Sequence, residues 1–331
     1  MRRLLSTLAI VSTLLATLPA LTGCVQPNIN VFGAPGAHYR EQVLEGSGAN
    51  KVLLLSVDGL ISEYPREGLL SSRPSTLQEI AAQLKLARKD KSIKAVLLKV
   101  NSPGGTTTAS DILYHELSAY KQETGVKLVT VMMGVAASGG YYVALPSDYI
   151  TAHPTTITGS VGVIFVMPRL AGLMDKIGVG VDVSKSGSLK DMGSPFRPAT
   201  DEEKRLTEAM TKAQAARFTE LVMQSRKLTP EALRTVSTAQ VFTAAQAKDL
   251  GLIDSIGYMD DALAKTRELA GLDKDAKLIT YRRRSSADAT YYQPAAEAMD
   301  GQRPTLLSVD LGGLLPPKAG LYYLWGPGYA E

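Results

Sequence analysis

The stretch VKLVTVMMGVAASGGYY, residues 126–142, carries the pattern on which the fold prediction rests. Its first half, Val126–Met133, is a short apolar run with the length and composition of a buried strand. Small residues from Gly134 to Gly140 then form a turn, and we expect a short helix over Ser138–Ala144. A buried strand that passes through a glycine-rich turn into a helix is typical of α/β proteins with parallel strands.

The alternation of strand and helix continues on both sides of this stretch. The other predicted strands are Lys51–Val57, Ala95–Val100 and Asp148–Ala152, and the predicted helices are Thr76–Lys89 with Ser75 as its cap, Thr108–Glu123, Asp201–Arg226, Thr229–Val236 and Thr243–Leu250. We therefore predict an α/β fold with largely parallel pairing. The 331 residues are 45% hydrophobic and 21% charged, which excludes a wholly disordered chain, a collagen-like repeat and a many-span membrane protein.

The net charge and the small number of cysteine and histidine residues exclude further classes of protein. The 36 basic and 32 acidic residues leave a net charge of +4, too small for a dedicated nucleic-acid binder. One cysteine and three histidines are too few for a structural zinc site, and a single thiol cannot form a disulfide framework. We predict neither a metal site nor a cofactor.

The only cysteine lies at the end of an export signal. Arg2 and Arg3 precede an uncharged stretch that ends LTGC at residues 21–24, and this ending resembles the bacterial lipobox. We predict a lipoprotein signal peptide over residues 1–23, a lipidated Cys24, and a flexible tether over residues 24–50. A plain signal peptide or a membrane-spanning anchor is the alternative, although the run is short for a spanning helix.

Two glycine-rich turns follow predicted strands and are candidates for chemistry. The turn NSPGG, residues 101–105, offers backbone N–H groups at a helix start, where they can hold an anion. A plain tight turn explains it equally well. In the second turn, Ser138 stands between small residues where a strand meets a helix, the geometry of a nucleophile elbow. The alternative is a serine that merely caps the helix.

A nucleophilic serine needs a base. His38 lies in the tether and His115 in a surface helix, so among the histidines only His153 is a candidate. A lysine made neutral by burial is the other option, and KSGSLKD, residues 185–191, holds Lys185 and Lys190. Both lysines also fit an ordinary solvated loop.

Five motifs together resemble a known family. In order they are VNSPGG (100–105), AASGGYY (136–142), TGSVGVI (158–164), KSGSLKD (185–191) and GLIDSIG (251–257). This order is similar to the short form of the signal peptide peptidase A (SppA) family, over about residues 51–269. The resemblance implies a ClpP/crotonase-like fold with repeated ββα units and helices around largely parallel strands. It also implies a membrane-associated serine protease with a Ser–Lys dyad.

The resemblance carries over to individual positions. Ser138 falls at the nucleophile and Lys190, not Lys185, at the general base. Gly105 falls at an oxyanion-hole donor, with the Gly139 N–H as the natural second donor, and Ser160 at the hydroxyl that orients the lysine amine. One departure is visible before Val241, where the chain has Ala239-Gln240. The family usually has Gly-Arg there, so a supporting contact is in doubt.

These inferences predict a lipid-anchored serine endopeptidase of the bacterial cell envelope, with its domain on the non-cytoplasmic side. It would cleave remnant signal peptides or other exposed apolar peptides, assemble as a ring-shaped homo-oligomer with shared active sites, and bind no nucleic acid. The peptidase domain is expected over residues 51–270, followed by a C-terminal extension, 271–331, of unknown placement. The alternatives are a ClpP-like peptidase using His153, an idle scaffold that binds peptides or membrane partners, and an acyl-CoA enzyme.

Overall fold

A computed structural model of the chain describes residues 39–67, 72–283, 291 and 320–326. The predicted signal peptide, Cys24 and His38 lie outside these residues. In chain order the strands are β1 (Arg40–Glu45), β2 (Lys51–Asp58), β3 (Arg66–Glu67), β4 (Ser72–Arg73), β5 (Ile93–Ser102), β6 (Gly104–Thr106), β7 (Lys127–Ala137), β8 (Tyr149–Ala152), β9 (Ile157–Gly159), β10 (Ile164–Val166), β11 (Val241–Thr243), β12 (Ser255–Ile256), β13 (Lys277–Arg282) and β14 (Gly320–Leu324).

The helices of this part of the chain are α1 (Thr76–Ala87), α2 (Thr107–Thr124), α3 (Gly139–Tyr142), α4 (Ala171–Ile177), α5 (Asp201–Ser225), α6 (Pro230–Val236), α7 (Ala244–Asp249) and α8 (Met259–Leu269). Ser75 caps α1 as predicted, because its Oγ accepts the Gln78 N–H at 3.1 Å. Among the described residues, no helix combines the length and the apolar character needed to span a membrane.

The central sheet is largely parallel, as predicted. Its strands follow the order β1-β13-β2-β5-β7-β8-β12, and β9 pairs with both β7 and β11. Every pairing from β13 to β12 is parallel, as is the pairing of β7 with β9, whereas β1 and β11 pair antiparallel. A separate antiparallel sheet has the order β10-β14-β6.

Alternate residues of β2 show why the sheet is buried on both faces. Leu53, Leu55 and Val57 belong to one core cluster, whereas Val52 and Leu54 belong to the other. The first cluster includes apolar residues of α1, α2 and α5, and the second includes residues of α8. Helices therefore cover both faces, which is the usual requirement for parallel strands.

The described chain departs from the predicted boundaries at both ends of the predicted domain, and both departures lie at one edge of the central sheet. Arg40–Glu45, which the sequence analysis assigns to the flexible tether, is a strand paired with β13. Both strands lie outside the predicted 51–270 range, yet they extend the central sheet next to β2. The polar sequence REQVLE gives little strand signal because an edge strand keeps much of its surface in water.

Candidate active site

Ser138 occupies a strained turn between the end of β7 and the start of α3. Its φ is +54°, a region that a residue with a side chain rarely adopts, and its N–H donates to the Gly159 carbonyl at 2.8 Å. Ser138 is the N-cap residue of α3 by position, but its side chain makes no capping hydrogen bond, so its hydroxyl is not used to cap the helix. The residue is 1% exposed. Strain of this kind costs about 1–3 kcal/mol and is concentrated at functional sites.

Two glycines after Ser138 let the start of α3 pack closely against its neighbours. A Cβ on Gly140 would lie 2.5 Å from the Ser102 carbonyl oxygen, and one on Gly139 would lie 2.5 Å from Ser110 Oγ. No larger residue fits either position without moving the backbone of β5 or the α2 helix. The glycines thus fix the elbow against the end of β5.

The NSPGG turn meets the Ser138 elbow. Gly104 has φ +104° and donates its N–H to Ser102 Oγ at 3.0 Å, and a Cβ on Gly104 would lie 2.7 Å from the Gly139 nitrogen. Gly105 lies next in β6, against Ile61, whose carbonyl oxygen occupies the space that a Cβ would need. The two glycine-rich turns, which the sequence presents 30 residues apart, therefore form one site.

Ser160 and Ser138 directly follow the ends of two paired strands, β9 and β7. Ser160 follows Gly159, which pairs with Ala137, and it is 8% exposed with φ +52°. Its N–H donates to the Gln240 carbonyl at 2.8 Å, so the segment that departs from the family pattern contacts the site directly.

Backbone strain is concentrated at this point of the fold. In the described part of the chain the non-glycine residues with positive φ are Ser138, Ser160 and Ala239. Ala239, at +61°, is also the nearest neighbour of Gly162, on which a Cβ would lie 2.5 Å from the alanine methyl. Ala239 departs from the family pattern in the sequence, and the structure adds the reason that glycine suits this position, which is its left-handed backbone.

The two candidate lysines have different environments. Lys185 Nζ donates to Asp191 Oδ1 at 2.7 Å and to the Ser188 carbonyl at 3.1 Å. Lys190 is exposed, and its ammonium has no hydrogen bond or ion pair within the residues that the structure describes. The burial that a neutral lysine base requires is therefore not provided for Lys190 by the described part of a single chain.

A network of charges holds the lysine-bearing loop. Arg197 donates to both carboxylate oxygens of Asp191 at 2.8 Å and to Glu203 Oε1 and Oε2 at 2.5 and 2.9 Å. The hydrogen bonds from Arg197, and next those from Lys185, hold the pKa of Asp191 well below its usual range. Lys185 is thus part of an ion-pair network, whereas Lys190, the other lysine of this loop, has no partner among the described residues.

The loop and helix around Lys190 expose many apolar side chains. The helix α4 buries none of its residues. The exposed large apolar residues between positions 170 and 210 are Leu170, Leu173, Ile177, Val179, Val181, Val183, Phe196, Leu206 and Met210. Exposed apolar side chains concentrated in one segment of a chain are a common feature of surfaces that another protein covers.

The structure does not bring His153 to Ser138. The His153 ring places Nδ1 2.9 Å from Thr155 Oγ1 and packs edge-on against Tyr258, with ring centroids 5.0 Å apart. No hydrogen bond links it to Ser138. His115 is exposed on α2. Across residues 39–67, 72–283, 291 and 320–326, no group of three or more His, Cys, Asp or Glu could hold a metal ion.

Tyr323 also lies at this site, although no sequence motif indicates it. Its backbone pairs with Gly105, and its carbonyl oxygen lies 3.0 Å from the position of a Cβ on Gly139. The short alternating run GLYYL, residues 320–324, is the signal that could have indicated a strand. Nothing in that pattern indicates which strand it joins.

Known peptidases are similar to this chain in sequence. The sequence model of peptidase family S49 matches residues 120–273, and that of Clp protease matches residues 71–154. An Enterococcus faecium protein named as a signal peptide peptidase SppA is 33% identical over 281 residues, which cover 83% of this chain and 81% of that protein. Protease 4 of Salmonella typhi is 36% identical over 236 residues, 71% of this chain but 37% of the longer relative.

A solved structure of a membrane-bound stomatin-specific protease, a mutant in complex with a substrate peptide, covers 66% of this chain and 81% of its own. It is 18% identical, with a TM-score of 0.39. The sequence matches show that the chain belongs to peptidase family S49 and is a serine peptidase with a ClpP-like α/β fold. The family and the fold class predicted from the motifs are confirmed.

Proposed function

We propose that this S49 peptidase hydrolyses peptide bonds with Ser138 as nucleophile and Lys190 as general base. The observation that carries the proposal is the elbow at Ser138, whose strained backbone presents a hydroxyl that caps no helix. Ser138 Oγ attacks the peptide carbonyl carbon while neutral Lys190 takes its proton. Lys190 then gives that proton to the leaving amine, and a water molecule hydrolyses the resulting ester by the same route.

Gly105 and Gly139 are the proposed donors to the oxyanion. Their backbones lie on either side of Gly104, where the two glycine-rich turns meet next to Ser138. Two N–H groups fixed by strand and helix geometry need no rearrangement when negative charge develops on the carbonyl oxygen of the substrate. A donor of this kind is worth about 2.7–4 kcal/mol of transition-state stabilisation.

The dyad requires a second copy of the chain. A lysine is a useful base only when its pKa falls from about 10.4 to about 7–8, which requires burial. Lys190 is exposed in the single chain, and exposed apolar residues lie before and after it in the sequence. We propose that neighbouring copies in a ring-shaped homo-oligomer cover this surface and bring Lys190 to a neighbour's Ser138, with Ser160 orienting the amine.

The proposed substrates are remnant signal peptides and other exposed apolar peptides of the cell envelope. A lipid on Cys24 would hold the peptidase at the membrane, because each acyl carbon buried in the bilayer contributes about 0.8 kcal/mol to the free energy of membrane binding. The peptidase domain would lie on the non-cytoplasmic side. The LTGC ending and the relative named as a signal peptide peptidase support this assignment. The scaffold and acyl-CoA alternatives lack an observation in their favour.

The test of the dyad compares three single variants. Lys190→Met should abolish peptide hydrolysis, whereas His153→Ala should keep most of it. Lys185→Met is the matched control, a lysine of the same loop whose amine is engaged by Asp191. A fluorophosphonate probe should label wild type but not Ser138→Ala. Loss of activity in His153→Ala with full activity in Lys190→Met would establish the Ser–His alternative instead, and a folded wild type that is neither labelled nor active would refute the enzyme assignment.

Complementation tests the shared site. Inactive Ser138→Ala and Lys190→Ala proteins are mixed under conditions that exchange subunits, with exchange followed by fluorescence transfer between labelled copies. In the mixed oligomers, some interfaces should pair an intact Ser138 of one copy with an intact Lys190 of its neighbour, and part of the activity should return. Exchange without any return of activity would show that each chain completes its own dyad.

A further inference from the structure

The loop that carries Lys190 is a series of tight turns. Three backbone hydrogen bonds close them, from Lys190 N–H to the Gly187 carbonyl at 3.1 Å, from Met192 N–H to the Leu189 carbonyl at 3.0 Å and from Ser194 N–H to the Asp191 carbonyl at 3.0 Å. No residue from 185 to 200 is buried, so packing does not hold these turns in place. The position of the Lys190 backbone therefore depends on side-chain ties to the rest of the domain.

Arg197 ties this loop to α5. Its Nε and Nη2 donate to the two carboxylate oxygens of Asp191, both at 2.8 Å, and Nη2 also donates to the Asp191 carbonyl at 3.3 Å. On the other side, Nη2 and Nη1 donate to the two oxygens of Glu203 at 2.5 and 2.9 Å. A guanidinium offers five donors in a fixed plane, whereas a lysine amine is a single flexible point. We call Asp191, Arg197 and Glu203 the arginine bridge.

The two ends of the arginine bridge have different surroundings. Glu203 is 2% exposed and belongs to the first turn of the 25-residue helix α5. Its Oε2 also accepts the Thr200 N–H at 2.7 Å, and Thr200 Oγ1 accepts the Glu203 N–H at 3.2 Å, so a capping box fixes the carboxylate. Asp191 lies in the loop, directly after Lys190. The bridge therefore connects the residue next to the lysine to a fixed point on a long helix.

The charged groups at the arginine bridge balance one another. Lys185 of the same loop donates to Asp191 Oδ1 at 2.7 Å, so two cations face two carboxylates. Arg169, exposed just before α4, lines a small depression together with Arg197 and Glu203. The hydrogen bonds from Arg197 are the main reason that the pKa of Asp191 is well below its usual range and that the pKa of Glu203 is about 2. Both carboxylates stay charged wherever a lysine acts as a base, so a pH profile of hydrolysis reports the lysine.

We propose, on the premise of the dyad proposed above, that Arg197 is a positioning residue for peptide hydrolysis. Its fork between Asp191 and Glu203 fixes the backbone of Lys190, so that the exposed amine meets the Ser138 of a neighbouring copy in one orientation. A catalytic group misplaced by about 1 Å can cost about 100-fold in rate. Because the bridge holds the base and not the peptide, its loss affects kcat more than KM.

The first experiment measures the pH profile of peptide hydrolysis by full-length variants. Arg197→Met should lower kcat about tenfold or more and change KM by less than about twofold. It also leaves one cation, Lys185, against two carboxylates, so the acid limb of kcat/KM should move to higher pH by about half a unit or more. Arg197→Lys keeps the charge without the fork. Its acid limb should stay within about 0.2 units of wild type, and its loss of kcat should be smaller.

Arg226→Met is the matched control for general destabilisation. Arg226 follows the other end of α5 and forms a similar fork, with Nη1 and Nη2 at 3.0 and 2.8 Å from the two carboxylate oxygens of Asp254. Its loss should lower the midpoint of urea unfolding but leave the acid limb of kcat/KM in place. An acid limb that stays at the wild-type pH in folded Arg197→Met, or that moves equally in Arg226→Met, would overturn the proposal.

Amide hydrogen exchange distinguishes failure of this inference from failure of the proposed function, because it needs no hydrolysis. In inactive Ser138→Ala protein, adding Arg197→Met should speed exchange at the amides of Lys190, Met192 and Ser194 about tenfold and leave the central sheet unchanged. Unchanged exchange in the loop of a folded protein refutes the positioning role even if Lys190 is the base. Faster exchange in the loop, together with full hydrolysis by the Lys190→Met protein, would show that the bridge holds the loop and that the proposed dyad is wrong.

Discussion

Replacing Ala239 with glycine is expected to stabilise the protein, because it removes strain from the backbone beside Ser160. The residue has φ +61°, in the left-handed region. An L-residue there is disfavoured by about 1–2 kcal/mol, since its Cβ approaches the following carbonyl oxygen. Glycine adopts the same conformation without this cost.

The magnitude follows from two opposing effects. Glycine makes the unfolded chain more flexible, which lowers the free energy of unfolding by about 0.4–1 kcal/mol. The alanine methyl is also only half-buried, so little packing is lost. The net gain is about 0.5–1 kcal/mol, or about 1–3 °C in Tm for a domain of this size.

Urea unfolding measures the effect as a higher midpoint at an unchanged slope. Ala270→Gly is the control, because Ala270 is the C-cap of α8, has φ −91° and gains nothing from glycine. It should lose about 0.5–1 kcal/mol. If Ala239→Gly is destabilised as much as Ala270→Gly, the backbone at position 239 is not strained and the reasoning fails.

Three further outcomes follow from the charges and the anchor. The hydrogen bonds from Arg197, then that from the Thr200 N–H, lower the pKa of Glu203 from 4.5 to about 2. The stabilisation from these hydrogen bonds is therefore complete above about pH 4.5 and is lost as pH falls toward 2. Glu203→Gln should be less stable than wild type at pH 7, and the difference between the two urea midpoints should shrink below about pH 4.5. A constant difference down to about pH 2.5 would contradict this. Lys190→Met should leave the Tm of the isolated chain unchanged, because the exposed amine has no described partner, and a large loss would indicate a structural ion pair. Cys24→Ser should move the protein from the membrane to the soluble fraction of a bacterial host, and full retention would identify the uncleaved apolar start as a helical anchor.

The sequence by itself determined the strands and turns that depend only on short, local residue patterns. Apolar runs predicted the strands Lys51–Asp58 and Ile93–Ser102 to within a few residues, because burial on both faces of a parallel sheet requires such runs. The position of Ser138 at an elbow was also predictable, since small residues between a strand and a helix permit a sharp turn. The five motifs in order were sufficient to identify the family.

Only the tertiary structure decided which distant segments meet. The contact of Gly104 with Gly139, the exposure of Lys190 and the insertion of β14 between β6 and β10 all join residues far apart in the chain. A strand pattern specifies which side chains face a core, but not its pairing partner, because the backbone hydrogen bonds of every strand are alike. For the same reason the sequence could not show that Arg40–Glu45 pairs with β13 or that Tyr323 pairs with Gly105, and both pairings became evident only in the assembled sheets.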